Sequence, residues 1–136
     1  ACAGAALALG AIAGPAAADG ARLDAAWADA TGEVDGLVDA SDLAAINVIG
    51  YHAAVSKLCD GFALDVDEIA AATDALIADA PADATPETLL ARQAEILIAV
   101  GTAHGLFLAE GSQRLESFCE EAIATRDDPD YDDHWQ

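Results

Sequence analysis

The chain has 136 residues, with 25 acidic against five basic side chains and a formal net charge of −20. Nucleic acid and anionic lipid are held through Lys and Arg, so a chain this negative, with no basic cluster anywhere, is excluded from both kinds of surface. Apolar residues make up 54% of the sequence but aromatics only 5%, so alanine supplies much of the apolar content. Alanine favours helix over strand, and the expected class is all-α.

The first stretch, ACAGAALALGAIAGPAAADG, carries no charge before Asp19. It closes on Pro15-Ala16-Ala17-Ala18, a small-residue pattern that fits a signal-peptidase site. A basic leading segment and a Met are missing, so residues 1–18 read as a signal peptide truncated at its start, with cleavage after Ala18. The competing reading is an ordered first helix or a segment lying on the body. A lipoprotein signal at Cys2 fits less well, because the apolar run follows that cysteine. A membrane span is disfavoured because the run is short and mostly Ala and Gly. The expected division is therefore a signal peptide at 1–18, a helical domain at 19–126 and an acidic tail at 127–136. So many acids with a single lysine also suit a saline habitat, where salt screens self-repulsion.

After Asp19, LDAAWADA around Trp27 predicts a short helix, which Gly32 and Gly36 interrupt. Asp39 or Ser41 can cap the next helix, and DLAAINVIGYHAAVSKLC is apolar on nearly all sides, as expected of a buried helix ended by Asp60-Gly61. Asp65 and Glu68 open VDEIAAATDALIA in the manner of a capping box. DAPADATP is a loop. Thr85 as cap and Pro86 in the first turn start a long helix to about Glu110. Gly111-Ser112 predicts a break with Ser112 as a new cap, before QRLESFCEEAIATR. The tail DDPDYDDHWQ is expected to be loose unless Tyr131 and Trp135 dock it. No strand pattern and no repeat is present. The expected architecture is a small antiparallel bundle of four to five helices.

With residues 1–18 removed, two cysteines remain. An even number in a short exported chain reads as a disulfide, here Cys59–Cys119, joining the second helix to the last. Closing a loop of that length is worth roughly 4 kcal/mol in the chain-entropy model. Acidic neighbours in KLCD and SFCEE raise a thiol pKa and argue against a reactive thiolate. No CxxC is present, so thioredoxin-like redox chemistry and a zinc knuckle lack support.

Two histidines fall in apolar helices. His104 lies in VGTAHGLFLAEGS, beside Gly101 and Gly105, whose spacing puts them on one face for close approach of a neighbouring helix, with Gly50 as the expected partner. His52 shares a helix face with Cys59. Each histidine is expected to be a core residue that hydrogen-bonds a backbone carbonyl or reaches out to the bundle surface. The alternative is a buried polar site formed by His52 and His104 meeting, with Glu110 or Tyr51 beside them. No HExxH, no Glu-x-x-His and no third ligand accompanies them. Ser41, Ser56, Ser112 and Ser117 lack a nucleophile-elbow context. No catalytic residue is assigned, and an enzyme is the least expected reading.

The segment TGEVDGLVDASD, residues 31–42, resembles the calcium loop of EF-hands and dockerin modules. Gly36 stands at the sixth position, Asp35 at the fifth, Asp39 at the ninth and Asp42 at the twelfth. Thr31 occupies the first position, where the family has Asp, and Glu33 the third. The resemblance makes Asp35, Asp39 and Asp42 candidate calcium ligands, while no cofactor is otherwise expected.

The layout as a whole resembles small exported, disulfide-bridged helical proteins of the alphaproteobacterial type, through Cys59-Asp60 and Phe118-Cys119. It is more loosely similar to acid-stress periplasmic chaperones. Neither resemblance brings catalytic residues with it. The disulfide, the absence of a catalytic constellation and the small-residue helix faces point to a non-enzymatic periplasmic or secreted bundle that binds a protein or peptide partner, with a chaperone as one form. The alternative is a calcium- or metal-binding module using loop 31–42.

Overall fold

The computed structural model describes residues 23–30, 32, 38–128 and 135–136. Residues 1–18 therefore lie outside the described residues, as do Asp35 and Tyr131. The described chain is all-α: α1 over 23–30, α2 (Ala40–Leu58), α3 (Val66–Ala78), α4 (Pro86–Gln113) and α5 (Leu115–Arg126).

Local chemistry sets most of the boundaries. Asp39, not Ser41, caps α2: its Oδ1 accepts from the backbone N–H of Ser41 at 2.8 Å and of Asp42 at 2.9 Å, satisfying orphan donors of the first turn. Gly61, at φ +83°, turns the chain after the helix, a conformation that glycine adopts without steric cost. Asp65 Oδ1 accepts from Glu68 N–H at 3.1 Å to open α3. Thr85 Oγ1 accepts from Thr88 N–H at 3.2 Å to open α4, with Pro86 in its first turn.

The expected break at Gly111-Ser112 does not occur. α4 runs through both residues to Gln113, and the chain breaks at Arg114. Two contacts explain the difference. Ser112 turns its hydroxyl back to donate to Leu108 O at 2.7 Å and does not act as a cap. Gly111 is buried where a Cβ would stand 2.5 Å from Leu58 Cδ1 and 2.9 Å from Phe118 Cδ1. The glycine is there for interhelical space.

Consecutive helices α2, α3 and α4 alternate in direction. α3 begins beyond the end of α2 and returns so that Asp79 lies beside Asp39 and Asp42 at the start of α2. α4 then runs back parallel to α2. Arg92 pairs with Asp42, Gly50 abuts Ala103, and Leu58 abuts Gly111 in the same order along both helices. α5 crosses the far end.

The buried side chains form two clusters. One, at the α3 end of the α2–α4 pair, contains Ile46, Ile49, Leu76, Ile96, Ala99 and Ala103. The other contains Ala54, Val55, Cys59, Phe62, Phe118, Ala122 and Trp135. Cys59 and Cys119 are joined across this second cluster, with Cα atoms 5.5 Å apart and a sequence separation of 60. The bridge links the end of α2 to α5, as expected.

The chain end is held on the same cluster. Trp135 pairs with Leu64 in an isolated antiparallel bridge, Gln136 N–H donates to Ala63 O at 2.7 Å, and the Trp135 indole N–H donates to His52 O at 3.1 Å. Trp135 is buried, so the last part of the acidic tail is docked. Ring contacts then run from Trp27 to Phe107, on to Tyr51 and Phe118, and through Trp135 to Phe62.

Candidate functional site

The sequence places an almost wholly apolar run at the centre of α4, and the structure buries only one side of it. Ile96, Ala99, Ala103 and Gly111 point into the bundle, and Arg92 is drawn inward with them. At 100° per residue, Leu90, Ala94, Leu97, Ile98, Gly101 and Gly105 share an arc of about 100° on the opposite side. All six are exposed, and Leu90, Leu97 and Ile98 are exposed to 67%, 51% and 69%. No charged side chain interrupts the arc, which extends about 22 Å along the helix axis. Single exposed apolar residues are ordinary, whereas a contiguous apolar strip marks an interaction surface.

Gly101 and Gly105 belong to this outward strip and not to the α2 interface expected for them. A Cβ at either would meet nothing within 4 Å. The close approach between α2 and α4 is made instead by Gly50, where a Cβ would lie 2.8 Å from Ala103 Cβ and 2.8 Å from His104 N. The spacing of Gly101 and Gly105 correctly gives a shared face but carries no information about which way it points.

The histidines sit in different surroundings. His52 is fully buried in α2, with its ring centroid 4.2 Å from that of Trp135 and its carbonyl taken by the Trp135 indole. His104 is half-buried in α4, and its Nε2 is buried with no hydrogen-bond partner among the described residues. Neither belongs to a cluster of three metal-ligating side chains among the described residues.

Such a cluster does form from Asp39, Asp42 and Asp79, whose carboxylate oxygens lie within 4.8 Å of one another. Two of the three are the ninth and twelfth positions of the calcium-like loop, and the third comes from the loop after α3, which sequence spacing could not connect to them. One oxygen of Asp39 and one of Asp42 are already engaged. Asp39 Oδ1 takes the Ser41 and Asp42 N–H groups and the Ser41 hydroxyl, and these bonds, the hydroxyl's first, hold its carboxyl below the usual carboxylate range. Asp42 Oδ2 accepts from Arg92 Nη2 at 2.9 Å, in a pair only 9% and 16% exposed at the two side chains. Arg92 also donates from Nε and Nη2 to Leu76 O. The arrangement works as a helix cap joined to an ion pair that ties α2, α3 and α4 together.

The serines considered as nucleophiles are likewise committed to local bonds. Ser56 donates to Ala53 O, Ser112 to Leu108 O and Ser117 to Arg114 O, while Ser41 donates to Asp39.

Of the described cations, three have carboxylates beside them: Arg92 with Asp42, Arg114 with Glu110 and Glu121, and Arg126 with Asp127. Arg114 holds the Glu121 carboxyl below its usual range, and the two glutamates raise the Arg114 guanidinium in turn. The field presented outward is therefore overwhelmingly negative.

The chain matches no protein-family model, and no curated protein and no solved structure is significantly similar to it. The fold and bridge alone define its class: a small all-α bundle with one disulfide, a bond consistent with an oxidising compartment.

Proposed function

We propose that this is an exported, non-enzymatic helical protein, periplasmic or secreted, that binds a protein or peptide partner through the outward face of α4. The observation that carries the reading is the charge-free apolar strip from Leu90 to Gly105, which is contiguous along α4, whereas the exposed large apolar residues of α3 and α5 (Val66, Leu115 and Ile123) are not gathered into such a strip. The bridge Cys59–Cys119 supports export, because such bonds persist in oxidising compartments. The signal-peptide pattern of residues 1–18 supports it independently. An acid-responsive chaperone is one form of this reading. Protonating many carboxylates collapses the charge, and dye binding that stays flat from neutral to acidic pH removes that form.

Panning a displayed peptide library on the wild-type protein, with counter-selection on the L90Q/L97Q/I98Q variant, tests the reading. Enrichment of peptides that bind only the wild type is the expected result. A library that yields no such binders, with the variant folded by circular dichroism, overturns it.

A further inference from the structure

Resting on that reading, we infer that the outward face of α4 is a docking face for a cationic amphipathic helix, one with an apolar side and a Lys- or Arg-rich rim. Three features select this occupant. The apolar strip runs along α4 for about four turns, which matches a helix lying along it and not a short extended segment. Gly101 and Gly105 have open space above them, so a second helix can come close to the α4 backbone at that end. Glu87 and Glu95 are exposed beside the strip, and neither forms an ion pair among the described residues.

Charge then separates the candidates for that face. A second copy of this chain would bring another −20 against the first. An anionic membrane is repelled for the same reason. A basic rim meets Glu87 and Glu95 while the apolar faces join, which gives both attraction and steering. By length and composition α4 could cross a membrane. Within this fold, however, Arg92 on its inner side is bound to Asp42 and Leu76 O.

The test uses three labelled synthetic helices with one Leu/Ala face and a rim of Lys, Gln or Glu, followed by fluorescence anisotropy with the full chain. The expected order is Lys well above Gln, with Glu unbound and the Lys advantage shrinking as salt rises. L97Q/I98Q should bind the Lys peptide at least about tenfold more weakly, since two large apolar side chains leave the interface. Attraction to the acidic body as a whole would leave L97Q/I98Q at wild-type affinity, and that result overturns the assignment. Gln or Glu peptides that bind as tightly as Lys, in a manner dependent on Leu97 and Ile98, remove the cationic rim and leave partner binding standing. A dimer in sedimentation that L97Q/I98Q dissolves puts a second copy on the face and overturns the inference. Binding to phosphatidylcholine vesicles that L97Q/I98Q abolishes does the same in favour of lipid.

Discussion

Gly50 of α2 rests directly on Ala103 of α4, so closely that a Cβ at Gly50 would stand 2.8 Å from the Ala103 methyl and from the His104 backbone nitrogen. The two helices meet there backbone to backbone, and the cost of a helical glycine, on the order of 0.5–1 kcal/mol, is offset by dense contact along the rest of the pair.

Gly50→Ala and Gly101→Ala should consequently have opposite signs. At Gly50 the new methyl meets backbone and must push the helices apart, which destabilises by about 1–3 kcal/mol. At Gly101 it meets nothing, and better helix propensity stabilises by up to about 1 kcal/mol. Urea unfolding of the two variants decides the matter; equal effects would remove the asymmetry between the inner and outer faces of α4.

Replacing Cys59 and Cys119 by serine should lower stability by roughly 2–4 kcal/mol, since the bridge restrains a long loop of the unfolded chain. Thiol labelling of the oxidised native protein should find neither sulfur accessible as a free thiol. Stoichiometric labelling of both would contradict the bridge.

Arg92→Gln should be the most damaging single change to a charged side chain. It strands the largely buried Asp42 carboxylate and frees Leu76 O together, at a cost of roughly 2–4 kcal/mol. Denaturant midpoints would measure it. Calorimetry adds a second check: calcium heat on the wild type that Asp42→Asn abolishes would return the Asp39–Asp42–Asp79 cluster to a metal role.

Asp39 should contribute to the acid limb of stability. Its carboxyl is lowered in the folded state by the Ser41 hydroxyl and by backbone N–H groups. Its stabilisation is therefore complete above the ordinary carboxylate pKa and is lost as pH falls through the lowered value. Asp39→Asn keeps a capping side chain without the charge. Its stability should equal or trail the wild type at neutral pH, and the difference should close on acidification. A gap that widens toward low pH would contradict the assignment.

Trp135→Ala should loosen the second core cluster from outside. It removes the indole bond to His52 O and the ring contacts to His52, Tyr51 and Phe62, at about 3 kcal/mol. Loss of near-ultraviolet dichroism without loss of helix content is the expected signature. An unchanged spectrum would mean that the docked tail is dispensable.

What the sequence made legible is local. Asp39, Asp65 and Thr85 act within three residues of where they stand, so short patterns suffice to find them. The bridge was legible because reading residues 1–18 as a cleaved segment leaves only Cys59 and Cys119 to join. Illegible features depend on the phase of one helix against another. Gly111 looks like a break until Leu58 and Phe118 are seen to fill the space a side chain would take. Leu97 and Ile98 look like core because the run from Ile96 to Ala109 is almost wholly apolar, and a pattern without a polar face does not say which side is inward. Asp79 sits in an ordinary acidic loop, and only the return of α3 brings it to Asp39 and Asp42.

The covalent ring closed by Cys59 and Cys119 has a consequence for proteases. It encloses all of α3 and α4, together with the exposed turn around Pro81–Asp83. A cut in that turn would therefore leave two fragments that still migrate as one species until a reductant is added. Nicking there would divide the sequence without releasing either piece.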